Sequence, residues 1–234
     1  MPNFRKWLPF LVLIAGLGMV LFLGLDEGFD VDTLRQHREM LTEFVTARYL
    51  LSALLFCAIY AAATALSIPG GVLLTVSGGF LFGSVFGAIF SVLGATLGAT
   101  LLFLAARTAF ADVLRGRGGS SVERMREGFR RNALSYLLFL RLIPLFPFFL
   151  VNLVPAFLGV RVSTYVIGTF VGIIPGSLVF ALVGSGLDQI FASGDALSLA
   201  SVFTDEMLLG FSGLALLALV PVLYKCLRDI PDPG

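Results

Sequence analysis

Arg141 and Asn152 are the residues of this sequence best suited to bind a charged small group. Both lie in the apolar stretch LRLIPLFPFFLVNLVPAFLG, residues 140–159. Burying an arginine in hydrocarbon costs at least about 2.5–3.5 kcal/mol, so intramembrane arginines usually serve a function. A guanidinium donates two parallel hydrogen bonds to a phosphate. The pair therefore predicts a site for an anionic headgroup inside a water-filled cavity.

Structural roles for the same two residues stay open at this point. Arg141 could extend back to the cytoplasmic headgroups, or it could pair with a backbone carbonyl freed by Pro144 or Pro147. Asn152 could contact the same headgroup as Arg141, cap a broken helix end, or form a hydrogen bond across to the other hairpin. Residue types and spacing do not decide between these roles.

Catalytic chemistry has little support in the sequence. The two cysteines, Cys57 and Cys226, are far apart, so we expect neither a disulfide framework nor a metal site. His37 is the single histidine, which excludes a histidine-based zinc cluster. No nucleophile–base pair or cofactor loop is recognisable, so we expect no enzyme activity and no cofactor. The net charge of +1 gives no reason to expect a nucleic-acid partner.

The composition indicates an integral membrane protein. Hydrophobic residues make up 58% of the chain, charged residues 13%, and the mean hydropathy is +0.97. Soluble domains contain about 25% charged residues. Long uncharged runs are typical of membrane helices, so we predict an all-α polytopic membrane protein.

The distribution of charge predicts the orientation of the chain. Lysine and arginine concentrate in residues 5–6, 107–131 and 225–228, which we place on the cytoplasmic side. Acidic residues dominate loops 26–48 and 188–206, which we place outside. Apolar residues in loop 26–48 recur at helical spacing, so part of it is expected to lie on the membrane surface.

The apolar runs divide the chain into three parts. Residues 1–48 contain a predicted anchor helix at 7–25, and residues 188–234 contain a last transmembrane helix at 207–224. Residues 49–187 form the predicted core between them. Both termini are then cytoplasmic.

The core alternates two broken segments with two spanning helices. Helices 84–106 and 162–187 are long enough to cross alone, so segments 49–83 and 134–159 must each return to the side on which they began. The pieces after the breaks reach only about 20 Å, against a hydrocarbon core of about 30 Å. Two short ordinary helices would satisfy the same parity, but these lengths favour re-entrant hairpins.

Each hairpin is followed by a spanning helix, in opposite orientations, which is the pattern of an inverted repeat. The residues expected to break or shape the helices are Pro69, Gly70, Gly71, Gly78, Gly79, Gly83, Pro144, Pro147, Pro155, Gly159, Pro175 and Gly176. In particular, Pro69, Pro144, Pro147 and Pro155 are expected to end helices. The glycines expected to pack the spanning helices closely are Gly94, Gly98, Gly168 and Gly172.

Two stretches of the core resemble the DedA superfamily, and more closely its SNARE-associated Golgi protein branch, also called the VTT domain. They are SIPGGVLLTVSGGFLFGSVFGAIFSVLGATLGATLLFLAAR and RLIPLFPFFLVNLVPAFLGVRVSTYVIGTFVGIIPGSL. The second is the more specific, with the order R-L-x-P-x-x-P-F, then N, G, Y and T-x-x-G-x-x-P-G. The resemblance covers residues 49–187.

The resemblance implies two opposed re-entrant hairpins and movement of phospholipids or polyprenyl-phosphate carriers between leaflets. It also implies proton coupling in some members. Bacterial DedA proteins carry acidic residues in or near the first hairpin, whereas residues 49–106 of this chain contain none. This difference argues against proton coupling through such a carboxylate.

We therefore predict a scramblase- or flippase-like lipid transporter in a bacterial inner (plasma) membrane. Arg141 and Asn152 would bind substrate, and the partners would be membrane lipids with anionic headgroups, with a homo-oligomer as an option. A secondary transporter of a small anionic solute and a non-transporting membrane scaffold are the alternatives.

Overall fold

The computed structural model describes residues 37–109, 133–142 and 148–193, and these residues form helices joined by short turns. The helices are α1 (Arg38–Ala47), α2 (Tyr49–Ala65), α3 (Gly71–Ala109), α4 (Ala133–Leu142), α5 (Phe148–Phe157) and α6 (Val162–Ser193). No strand occurs in these three ranges, so the predicted all-α class is confirmed for them. The predicted anchor helices 7–25 and 207–224, and residues 110–131 of the basic segment, lie outside the described residues.

Two of the helices are long and apolar enough to cross a membrane. They are α3, with 39 residues, and residues Val162–Ile190 of α6. A third span is possible if α1 and α2, which meet at an angle of 114°, count as one broken span. The chain is therefore an integral membrane protein. Asp188 lies inside α6 rather than in the acidic loop, because no glycine or proline interrupts residues 188–193.

The chain reverses between α2 and α3. Pro69 lies in this turn, where Ser67 and Gly70 adopt positive φ angles of 56° and 129°. A second break divides α3 at Gly83, whose φ of 77° and ψ of 170° are not helical. Glycine adopts these angles at little cost because it has no Cβ. We call residues 71–82 the short arm of α3 and residues 84–109 its long arm.

Glycines bring α2 and the long arm of α3 into close contact. A Cβ on Gly94 would lie 2.7 Å from Cβ of Tyr60, and a Cβ on Gly98 would lie 2.6 Å from Cβ of Thr64. At the other end of α2, the ring of Tyr49 lies 6.4 Å from that of Phe86. The two helices therefore run in the same direction. The short arm, which connects them in the chain, runs in the opposite direction and contacts both.

The short arm also packs against α6. A Cβ on Gly79 would overlap the carbonyl of Ala181, and a Cβ on Gly184 would overlap the carbonyl of Val76. These contacts join backbone to backbone, which is possible only because neither glycine has a side chain. The short arm is thus held by a helix from the second half of the chain.

The second half repeats this packing with different residues. Gly168 faces Leu137 of α4, and Gly172 faces Arg141 of α4, so α4 and α6 run in the same direction. Helix α5 packs on the long arm of α3, where Ala156 shares a buried cluster with Ala99 and Phe103. The four glycines expected to pack the spanning helices, Gly94, Gly98, Gly168 and Gly172, all occupy helix contacts.

A Schellman motif terminates helix α5, and Gly159 is the residue of this motif with a positive φ angle. The amide of Val160 donates to the carbonyl of Pro155 at 3.1 Å, and the amide of Gly159 donates to the carbonyl of Ala156 at 3.2 Å. Gly159 has a φ of 71°. Ala133 at the start of α4 and Val160 share one cluster with Ala106, so α4 begins and α5 finishes near the end of α3.

The prediction that Pro155 ends a helix is wrong. Pro155 lies inside α5, and the helix continues to Phe157. Proline removes one backbone amide donor, and this loss alone does not end the helix. The helix ends at the Schellman motif that contains Gly159. Pro175 likewise lies inside α6 and does not break it.

We expect Gly79→Ala to lower the stability of the protein, because the new methyl group overlaps the backbone of Ala181. Overpacking of this kind costs about 1–3 kcal/mol. Gly176→Ala is the matched control: a Cβ there meets nothing within 4 Å, and alanine stabilises a helix relative to glycine by about 1 kcal/mol. Thermal unfolding in detergent, followed by circular dichroism, measures both. Equal melting temperatures for the two variants would contradict the contact.

Candidate functional site

Arg141 lies in the last turn of α4 and turns toward α5 and α6. Its Nη2 donates to Asn152 Oδ1 at 2.7 Å, to the Tyr165 hydroxyl at 3.1 Å and to Thr169 Oγ1 at 3.1 Å. None of these three oxygens carries a negative charge. The Nη2 group of the guanidinium therefore donates to neutral groups of α5 and α6 inside an apolar helix bundle.

The stem of Arg141 rests on α6 at a glycine. A Cβ on Gly172 would lie 2.7 Å from Cβ of Arg141 and 3.1 Å from its Cγ. Tyr165 and Thr169 lie four positions apart on α6, so their hydroxyls share one face of the helix. Gly172 follows Thr169 by three residues, which brings it to the same face. One face of α6 therefore gives Arg141 both space and two acceptors.

Tyr165 connects the two halves of the chain. Its hydroxyl lies 2.8 Å from Asn152 Oδ1 and 3.3 Å from the carbonyl oxygen of Ala99 on α3, and its one proton is shared between these acceptors. Its ring stacks on that of Phe103, with centroids 4.2 Å apart and planes inclined by 17°. Tyr165 is 0% exposed. The position of the hydroxyl is thus fixed from three sides.

The Arg141 cluster consists of Arg141, Asn152, Tyr165 and Thr169, and its members differ in burial. Asn152 is 0% exposed and Thr169 is 1% exposed, whereas Arg141 is only partly buried. Buried polar side chains are costly in an apolar interior unless they form hydrogen bonds. Arg141 thus donates hydrogen bonds to polar groups that are buried on α5 and α6, while part of its own side chain stays accessible.

The first half of the chain contains a smaller polar cluster. The Tyr60 hydroxyl of α2 lies 3.0 Å from Thr75 Oγ1 on the short arm and 3.0 Å from the carbonyl of Gly71. Thr75 Oγ1 also donates to the carbonyl of Gly71, at 2.8 Å. This cluster joins α2 to the short arm, much as the Arg141 cluster joins α4 to α5 and α6. None of the members of the smaller cluster carries a charge.

The remaining predicted residues have separate places. Pro69 and Gly70 lie in the turn before α3, Gly71 begins α3, and Gly83 divides it. Gly78 and Gly79 lie within the short arm, where a Cβ on Gly78 would come 2.7 Å from the ring of Phe56. Gly176 lies within α6 and faces open space. Pro144 and Pro147 lie outside the described residues.

Sequence reasoning missed Tyr165 and Thr169 as members of the site. Both stand in the motif that carries the DedA resemblance, yet no role was assigned to them. The available signal was a pair of hydroxyl residues four apart in an apolar helix, which places two hydrogen-bonding groups on one face. Nothing in the spacing showed that this face meets Arg141.

The family model of the VTT domain matches residues 68–186, slightly more than half of the chain. The chain belongs to the VTT-domain family. The match includes all four residues of the Arg141 cluster. The resemblance to the DedA superfamily is confirmed, because relatives named transmembrane protein 41 belong to the same DedA/VTT family.

Three relatives illustrate the similarity. A transmembrane protein 41 homolog of Dictyostelium discoideum is 32% identical over 195 residues, covering 80% of this chain and 55% of its own length. Transmembrane protein 41B of Mus musculus is 28% identical over 203 residues, covering 84% and 66%. A transmembrane protein 41 homolog of Caenorhabditis elegans is 24% identical over 170 residues, covering 71% and 67%. The chain thus spans less than two thirds of the length of the first two. No solved structure matches the chain.

We expect Tyr165→Phe to destabilise the protein by about 1 kcal/mol, because it removes the hydroxyl that bonds Asn152 and leaves the stacked ring in place. Tyr49→Phe is the control, since Tyr49 is 43% exposed and its ring contacts do not involve the hydroxyl. The midpoint of thermal unfolding in detergent compares the two. A Tyr165→Phe midpoint no lower than that of Tyr49→Phe would show that the hydroxyl does not contribute.

Proposed function

We propose that this protein moves lipids between the leaflets of a membrane, as a scramblase or flippase of phospholipid or polyprenyl-phosphate. The observation that carries this proposal is the Arg141 cluster: a cation whose Nη2 donates to three neutral oxygens in the interior of a membrane protein of the VTT family. An anionic phosphate is the lipid group that such a cation attracts most strongly.

The packing supports an inverted repeat of two re-entrant hairpins. In each half, the first hairpin helix packs on the long helix of its own half through two glycines spaced four apart. In each half, the second hairpin helix packs on the long helix of the other half. The short arm has 12 residues and α5 has 10, so they extend over only about 18 and 15 Å, which is too short to cross the hydrocarbon core.

The cluster suits a phosphate because the hydrogen bonds of Nη2 orient a cation inside an apolar helix bundle. Interaction between opposite charges is strong where water is scarce. A headgroup phosphate that approaches the accessible part of Arg141 would gain from that interaction while its tails remain in the bilayer. Release remains possible because the neutral oxygens compensate the guanidinium again when the lipid leaves.

The charge distribution supports the remaining features of the proposal. Basic segments at residues 5–6, 107–131 and 225–228 support an orientation with both termini in the cytoplasm, and a bacterial inner membrane is the proposed location. The proposed partners are membrane lipids, with a homo-oligomer as an option. No enzyme activity is proposed. Transport of a small anionic solute and a scaffold role are the outcomes against which the proposal is tested.

Liposomes that contain the purified protein and a fluorescent phospholipid should lose more than half of their fluorescence to dithionite, because lipid from the inner leaflet reaches the outer one. Arg141→Met keeps the volume of the stem and removes the charge. Loss of a charged hydrogen bond is worth about 1.5–3 kcal/mol, which corresponds to a rate roughly 10- to 100-fold lower. Arg141→Lys should fall between wild type and Arg141→Met, since lysine keeps the charge but lacks the planar fork.

The controls separate the alternatives. Protein-free liposomes give the background rate of bleaching, and retention of a trapped soluble dye shows that the membranes are intact. If the wild-type protein does not accelerate bleaching but takes up radiolabelled phosphate, the solute transporter is favoured. If neither assay responds, and Arg141→Met only lowers thermal stability, the arginine is structural and the scaffold is favoured.

Gly172→Ala and Gly168→Ala form a matched pair on α6. A methyl group at Gly172 would displace the stem of Arg141, whereas one at Gly168 would press on Leu137, with its Cβ 3.0 Å away. Both variants should lose stability, because both methyl groups are crowded. We expect Gly172→Ala to slow lipid movement by about tenfold, equivalent to about 1.4 kcal/mol, and Gly168→Ala to slow it much less. Equal rates per folded molecule would refute a role for the position of Arg141.

A further inference from the structure

The side-chain amide of Asn152 is fixed in one orientation. Its Oδ1 lies 2.7 Å from Arg141 Nη2 and 2.8 Å from the Tyr165 hydroxyl. Turning the amide over would set its NH2 group against the Nη2 of Arg141, where two donors would face each other. Arg141 therefore determines that Oδ1 points toward it and that Nδ2 points elsewhere.

The Nδ2 group of Asn152 has no hydrogen-bond partner among the residues that the structure describes, although the side chain is 0% exposed. Buried amide donors are nearly always satisfied, because an unmade hydrogen bond leaves the cost of desolvation uncompensated. In the same cluster, Asn152 Oδ1, the Tyr165 hydroxyl and Thr169 Oγ1 all have partners. An oriented donor without an acceptor is the property expected of a group that binds a ligand.

We infer that Asn152 Nδ2 is the donor that contacts the phosphate oxygen of the cargo and gives the site its preference for an anion. Arg141 supplies the positive potential and, through Nη2, holds Asn152 in position. Contact with cargo requires the residues that cover Nδ2 to move aside while Asn152 keeps its hydrogen bond to Arg141, since Asn152 is fully buried in the described arrangement. This inference rests on the proposed movement of lipids.

Asn152→Asp tests the inference directly. The carboxylate keeps an oxygen for Arg141 and Tyr165 and adds an ion pair with Arg141, so the protein should melt at the same temperature as wild type or higher. It also replaces the N–H donor by an oxygen that repels phosphate. We expect the rate of bleaching of fluorescent phosphatidylglycerol to fall at least tenfold in liposomes.

The control for this variant is Thr100→Val on α3, which removes a hydroxyl that donates to the carbonyl of Thr96 in its own helix. Its rate should stay within twofold of wild type. An Asn152→Asp protein that is folded and moves phosphatidylglycerol at the wild-type rate overturns the inference. If the wild-type protein itself does not move lipid, the proposed function fails instead, and the two failures are distinguished.

A measurement on the wild-type protein does not depend on the folding of a variant. The sequence contains three asparagines, Asn3, Asn132 and Asn152, so selective 15N labelling gives three side-chain NH2 signals. Asn3→Asp and Asn132→Asp assign two of them and leave the third to Asn152. Short-chain phosphatidylglycerol should shift the Asn152 signal, and diacylglycerol of the same chain length should not. Equal shifts with both lipids, or no shift with either in protein that moves lipid, would refute the contact.

Discussion

The structure depends on the stabilisation of one cation in a medium that solvates it poorly. A guanidinium in an apolar bundle needs oxygens around it, and the described part of the chain provides them from two separate helices, α5 and α6. Each of those oxygens is itself buried and needs a donor, so the dependence is mutual. Glycine at position 172 is part of the same requirement, because the stem of Arg141 occupies the volume that a side chain would fill. The positions of α4, α5 and α6 relative to one another follow from this network.

The sequence predicted the helical class, the long helices and the location of most breaks, because these features are local. Gly83 and Gly159 adopt positive φ angles, which glycine tolerates best, and Pro69 lies in a turn. Pro155 shows the limit of such reasoning, since the helix continues where a proline alone predicts an end. The predicted hairpins and their opposed orientation remain predictions.

The candidate site was less accessible to sequence reasoning. Arg141 and Asn152 stood out because polar residues are rare in apolar segments, and they lie within hydrogen-bonding distance of each other. Tyr165 and Thr169 did not stand out, since hydroxyl residues are common in membrane helices. Which face of α6 meets α4 is decided by contacts between distant segments, and the spacing of residues along one helix does not contain that information.

The short arm of α3 has a consequence for the biogenesis of the protein. It is made early, yet Gly79 and Val76 find their backbone neighbours at Ala181 and Gly184, about a hundred residues later in the chain. Until α6 has left the ribosome and entered the bilayer, the short arm is without these contacts. Maturation in the membrane therefore includes a docking step between an early and a late part of the core, and a truncated chain that stops before α6 would offer an unfinished surface to quality-control proteases.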